Sequence, residues 1–286
     1  MVDFELAVQD VHGLSVAARL GVDRIELCSA LPVGGVTPSL ALVETAVATP
    51  GMPPVHVLVR PRLGGFDYSP DEVALIVRDV RHALAAGAAG VVIGGVRAGL
   101  VDHDLVRRVL DAAGPGDVTF HRAFDTLPDP VGGVRALASL GVRRILTSAG
   151  ADAVADALPA LAELVTAAGD DIEIMAGGGV RPDDVEKIAR TGVPAIHASA
   201  KRTVPSPVGV RLGTAARAGD SGFETTDEAG VARFLAAANW LSNPLPAPPW
   251  FSAALVLRRL GSPPPWFSAA LVPRPVVPPL PWFPAP

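Results

Sequence analysis

The chain has 286 residues, with 24 Lys and Arg against 29 Asp and Glu, a formal net charge of -5 and 49% hydrophobic residues. That balance offers no basic footprint for nucleic acid, and the single cysteine, Cys28, excludes a disulfide framework and a CxxC metal pair. No uncharged apolar run reaches the ~18 residues of a membrane span, and the opening MVDFELAVQD lacks the basic and apolar regions of a secretory leader, so the expectation is a cytoplasmic protein with a sizeable core.

From residue 1 to about 240, short β-branched runs alternate with longer Ala/Leu-rich ones. Strand 4–8 precedes helix 11–20, strand 24–28 precedes helix 39–48, and strand 55–60 precedes helix 70–86. Strands 90–93, 118–121 and 144–148 precede helices 102–113, 130–140 and 152–168. Strands 172–175 and 195–199 precede helices 181–190 and 226–238. Several helices stop at a glycine placed to take a left-handed conformation, among them Gly21, Gly87, Gly114, Gly141, Gly169 and Gly192. Eight βα units in this length argue for an α/β fold of the (β/α)8 TIM-barrel type rather than an open doubly wound sheet. Long loops after the second and third strands take the spare residues.

The remainder, 241–286, differs in kind. It repeats PPWFSAALV at 248–256 and 264–272, and its prolines stop either helix or sheet from propagating. It reads either as a proline-rich recognition segment or as a chain end altered by frameshift or repeat expansion. The expected organisation is a barrel over 1–240 and a poorly ordered tail.

Side chains alternate faces along a strand, so one parity of each barrel strand points inward. Ile25 and Leu27 oppose Arg24, Glu26 and Cys28; Val55, Val57 and Val59 oppose His56, Leu58 and Arg60. Val118 and Phe120 oppose Thr119 and His121, Ile196 and Ala198 oppose His197 and Ser199, and Glu5 opposes Phe4 and Leu6. The apolar parity suits the surrounding helices, which leaves the polar parity to line a cavity on the barrel axis. The densest polar group is at the fifth strand's exit, where His121, Arg122 and Asp125 fall within five residues. Such groups are costly to bury unless they pair or work. A salt-bridged loop with a satisfied core histidine is the plain alternative.

Several of these segments, taken together, resemble the CutC family. They are Asp-Arg-Ile-Glu-Leu-Cys at 23–28, Gly-Gly-Val-Thr-Pro-Ser at 34–39, Val-Arg-Pro-Arg at 59–62 with Phe66-Asp67-Tyr68-Ser69, and Thr-Phe-His-Arg-Ala-Phe-Asp at 119–125. Leu-Thr-Ser at 146–148, Ile-Met-Ala-Gly-Gly-Gly-Val at 174–180 and Ile-His-Ala-Ser-Ala at 196–200 extend the match, which covers about 3–239. The resemblance implies a TIM barrel, a copper-homeostasis role, a cytoplasmic location and a homo-oligomer. The tail departs from the family's pattern.

Copper binding is thus the leading expectation. Cu(I) prefers soft sulfur ligands, and Cys28, with Met175 or a histidine across the barrel, is the ligand this sequence offers. A lone cysteine at a strand end also reads as a small buried hydrophobe. The alternative is an enzyme acting on a small anionic or phosphorylated metabolite. His121 is then the general acid or base, with Glu26 and Asp125 as catalytic partners. Glu5, Arg60, Arg62, Arg122, His197, Ser199 and Lys201 are the expected substrate- or anion-binding residues. The Gly177-Gly178-Gly179 loop after the seventh strand is the place where barrels often bind phosphate. A non-catalytic sensor using the same pocket is a third reading, and whether the chain is an enzyme stays open. His12, His82 and His103 are expected to be solvated, His56 to lie low in the core, and Asp67 and Tyr68 either to form a lid or to supply a paired loop carboxylate.

Overall fold

The computed structural model describes residues 2–205 and 222–242. Eight strands close into a parallel barrel: β1 (Asp3–Val8), β2 (Arg24–Leu27), β3 (Val55–Leu58), β4 (Gly90–Ile93), β5 (Asp117–Phe120), β6 (Arg144–Thr147), β7 (Glu173–Gly177) and β8 (Ala195–Ala198). Neighbours in sequence are neighbours in the sheet, every barrel pairing is parallel, and β8 returns to β1 through Glu5 opposite His197. The helices are α1 (Val11–Leu20), α2 (Leu40–Ala48), α3 (Pro70–Ala85), α4 (His103–Ala113), α5 (Pro130–Leu140), α6 (Leu158–Ala168), α7 (Val185–Ala189) and α8 (Glu228–Ser242). This is the TIM barrel expected from the alternation of runs. Among the described residues, no helix is long and apolar enough to cross a membrane.

Local chemistry fixes where the helices begin and end. Asp10, Asp102 and Asp129 each accept a backbone N–H in the first turn of α1, α4 and α5. Ser69 and Glu72 cap α3 reciprocally. At the other end, Gly21 takes φ 67° and ends α1, a conformation that costs an L side chain energy.

The largest departures from the expected elements are in the sixth and seventh helices and in two hairpins. The sixth helix starts at Leu158 rather than near 152, because Val154–Asp156 forms a separate 3-10 turn ahead of Pro159. The seventh divides into a 3-10 turn, Pro182–Asp184, and the short α7. Two antiparallel hairpins, Val96–Arg97 with Leu100–Val101 and Lys201–Pro205 with Gly222–Thr226, were not expected. Most of their residues are exposed or half-buried, so they lack the apolar alternation that betrays a strand. Apart from residues 241 and 242, at the end of α8, the expected tail lies outside the described residues.

The two parities of the pleat build two different environments. Phe4, Leu6, Ile25, Leu27, Val57, Ile93, Phe120, Ile145, Ile174 and Ile196 join Leu14, Ile76, Leu105, Leu137, Leu161 and Ile188 of the helices in one continuous core. Inside the barrel only two small apolar clusters occur among the described residues, Cys28–Leu58–Val92 and Leu146–Met175–Ala195. The rest of that interior is polar: Glu5, Arg24, Glu26, His56, Arg60, Thr119, His121, Arg144 and Ser148 are all buried.

Candidate functional site

The barrel interior is divided along its axis. At the amino-terminal end charges are matched one to one. Arg24 Nε donates to Glu5 Oε2 at 2.5 Å, and Arg144 forks onto Glu173 at 2.5 and 3.0 Å while also donating to Thr119 Oγ1. His56 lies beside them, with Nε2 4.0 Å from Asp117 Oδ2. Burial pushes its imidazole down to about 4, so it is neutral.

Glu5 carries this network upward. Its second oxygen lies 2.8 Å from His197 Nδ1, and His197 Nε2 lies 3.8 Å from Glu26 Oε2. Burial alone would raise the Glu5 carboxyl, but the His197 hydrogen bond, the His197 charge and Arg24 outweigh it and hold it well below the usual carboxylate range. Burial opposes charge on His197, yet Glu26 and Glu5 on its two sides raise its affinity for a proton. For Glu26 burial dominates and pushes the carboxyl up to about 7. Glu26 and His197 therefore compete for the same proton, the buried carboxyl because burial favours its neutral form and the imidazole because two carboxylates flank it.

Above this pair the carboxyl-terminal mouth opens into a cavity of about 420 Å³. Its walls come from the loops after β2, β3, β5, β7 and β8, because those loops leave the barrel at that end. Among the expected site residues it gathers Glu26, Arg60, His121, Arg122, Gly178, Gly179, His197, Ser199 and Lys201. It also takes in Leu31, Gly34, Leu58, Phe66, Leu146, Val180 and Ala198, which the charge pattern did not single out. Leu58 shares inward parity with His56 and Arg60 and was legible in that way; Phe66, on a loop without periodicity, carried no such signal.

Two residues of this wall have unusual surroundings. Arg60 is 8% exposed, and among the described residues no carboxylate pairs with it. Its guanidinium donates instead to the carbonyls of Gly34, Gly35 and Gly64, and its Nε is buried without a partner. His121 Nδ1 accepts from the Ala123 N–H at 3.0 Å, which places the ring proton on Nε2. That Nε2 is also buried and unpartnered. Burial and then the Arg60 charge push the imidazole down to about 3, so it is neutral across the physiological range.

Other expected site residues are placed elsewhere. Glu5 sits below the cavity in the network just described. Arg62 pairs with Glu72 on the outside of its loop and lies over the Tyr68 ring. Tyr68 is buried, while Asp67 is exposed. Asp125 is taken up by Thr147, the Ser148 N–H and hydroxyl, and Arg122, so it ties the β5 and β6 exits together beside the cavity. Gly177 is closed in by Leu146 and His197, where a Cβ would collide with the Leu146 side chain. Lys201 reaches the cavity wall but pairs with Glu224 at 2.7 Å. Cys28 is fully buried beside Leu58 and Val92, and burial followed by the Glu26 charge pushes its thiol up. Met175 accepts from Arg24 through its sulfur at 3.3 Å, in the other apolar cluster. Among the described residues, no three His, Cys, Asp or Glu side chains gather as a set able to hold a metal ion. His12, His82 and His103 are exposed.

Comparisons with known proteins agree with this architecture. The model of the CutC family matches residues 2–202. A family protein CutC of Agrobacterium fabrum is 42% identical over 229 residues, 79% of this chain and 90% of the relative. One of Glaesserella parasuis is 40% identical over 199 residues, 69% and 82% of the two chains. Among solved structures, the CutC protein of Streptococcus agalactiae, named for copper homeostasis, matches with a TM-score of 0.66 and 29% identity, covering 69% of this chain and 98% of that one. Phosphoribosyl anthranilate isomerase of Thermus thermophilus matches with a TM-score of 0.51 at 11% identity over 84% of this chain and all of its own, which speaks for the fold alone. By its family match, its relatives and its barrel, the chain belongs to the CutC family.

Proposed function

We propose that the barrel mouth is the active site of an enzyme that moves a proton on a small anionic metabolite, with Glu26 and His197 as the exchanging pair. The observation that carries this reading is the Glu26 carboxyl, which opens onto a 420 Å³ cavity with no hydrogen-bond partner among the described residues and with His197 3.8 Å away. A carboxyl held near 7 is suited to give and take a proton at neutral pH. Glu5, anchored by Arg24, acts behind it as a positioning residue. Its bond to Nδ1 fixes the His197 tautomer and leaves Nε2 toward Glu26. The neutral His121 serves here as a hydrogen-bond donor rather than as the base. Cytoplasmic residence and homo-oligomer assembly, implied by the family, belong to the same proposal.

Proton transfer leaves a mark that does not require the substrate's name. The full chain, incubated in D2O with a mixture of small phosphorylated and carboxylated metabolites, is expected to place deuterium at one carbon of one of them. Glu26→Gln removes the exchangeable proton while keeping the shape, and the incorporation is expected to disappear. A mixture in which nothing gains deuterium above the Glu26→Gln control overturns the reading.

A second reading rests on the copper-homeostasis name of the streptococcal relative. Cu(I) would need Cys28 and a second soft donor. Here the two sulfurs lie in separate clusters, the Met175 sulfur is engaged by Arg24, and burial disfavours the Cys28 thiolate that would bind the ion. The donor set does not fit a Cu(I) site. Stoichiometric Cu(I) uptake by the full chain, lost in Cys28→Ser, would reinstate it.

A further inference from the structure

A buried donor without an acceptor costs about 1–3 kcal/mol, so two of them on residues lining one cavity call for a reason. Arg60 Nε and His121 Nε2 are two such atoms, and the Tyr68 hydroxyl beside Arg60 is a third buried polar atom without a partner. Arg60 and His121 are close enough that the Arg60 charge disfavours protonation of His121, and both residues line the same cavity. Each is held in place by other bonds. Three loop carbonyls fix the guanidinium, and the Ala123 N–H fixes the imidazole and its tautomer. Neither can turn away to find a partner without breaking those contacts.

The aromatic ring of Phe66 packs against both. Its centroid is 5.1 Å from that of His121 and 5.2 Å from Arg60 Cζ. The Phe66 carbonyl accepts from the Val96 N–H at 2.9 Å, so the backbone is anchored to the hairpin after β4 and a χ rotation is the motion by which the ring could move. Among the described residues, Arg60 has only neutral acceptors, although a buried cation is stabilised most by an anion.

We propose that Arg60 and His121 form a subsite for one oxyanion group of the ligand, a phosphate or carboxylate, and that the Phe66 ring swings aside to admit it. This rests on the reading of the mouth as an active site and adds the class of ligand. Arg60 supplies charge and His121 a neutral N–H, which together recognise oxygen lone pairs without taking a proton from them. The group undergoing proton transfer then lies toward Glu26, and the oxyanion is the handle by which the metabolite is held.

The test uses the full chain with 15N-labelled histidine and arginine, titrated with inorganic phosphate and, separately, with acetate. The His121 Nε2 and Arg60 Nε resonances are expected to move together on saturation with one anion, and the stronger responder identifies phosphate or carboxylate. His121→Phe is expected to weaken that anion about tenfold, the loss of one charge-assisted hydrogen bond. Anion binding that leaves the two resonances unmoved overturns the proposal, as does the absence of saturable binding. Glu26→Gln is expected to keep the response. A chain whose resonances respond but which moves no deuterium keeps the subsite and loses the enzyme, so the two failures are distinguishable.

Discussion

The two ends of the barrel interior hold similar residues in opposite states. At the amino-terminal end, Glu5 meets Arg24 and Arg144 meets Glu173, so buried charges are matched, and among the described residues the one unpartnered atom there is Nδ1 of the neutral His56. At the carboxyl-terminal end, Arg60 has no carboxylate, Glu26 no hydrogen-bond partner among the described residues, and His121 an unused N–H. A matched buried pair is structural: it stabilises the closed strands against each other and leaves nothing for a ligand. An unmatched group costs folding energy and is retained where something else completes it. His197 joins the two regimes, bonded downward to Glu5 and facing Glu26 across 3.8 Å.

The largest way to break this contrast is Arg24→Met. It leaves the fully buried Glu5 carboxylate with His197 as its one remaining partner among the described residues and is expected to cost roughly 3–5 kcal/mol in denaturant unfolding. Arg60→Met at the other end removes a cation but strands no carboxylate. It is expected to cost less, roughly 1–2 kcal/mol, while abolishing the anion response; equal costs at both ends would dissolve the distinction. Next comes pH. His121 stays neutral in the fold down to about pH 3, whereas the unfolded chain takes that proton near 6.5. His121 by itself therefore takes away roughly 1.4 kcal/mol per pH unit as pH falls through that window, and the buried neutral His56, held down at about 4, adds to the loss. His121→Phe is expected to flatten that part of the pH–stability curve, and an unchanged slope would show the imidazole to be protonated. Arg62→Ala is the smallest. Its ion pair with Glu72 is solvent-exposed, so little or no change in stability and an unaltered anion response are expected.

Much of the fold was legible because its signals are local. Alternating runs marked all eight βα units, glycines marked the ends of several helices, and the pleat's period of two told which side chains face the axis. The hairpin at Lys201–Pro205 and Gly222–Thr226 escaped because nothing in its short exposed strands distinguishes it from a loop. Several polar residues around the mouth were legible through the same parity. Their roles were not, since these depend on partners distant in sequence. Asp125 stands three residues from Arg122 like any loop ion pair, and only the β6 exit shows where its oxygens go.

By itself, then, the sequence determined a parallel barrel with a polar axis, because strand periodicity and turn chemistry act over a few residues. The tertiary structure alone decided which axial charges are neutralised. Glu5 finds His197 192 positions away only when β8 closes against β1, and whether Arg60 meets a carboxylate depends on the loops that close around it. Matching a buried charge is a long-range event, and so is leaving one unmatched at the mouth.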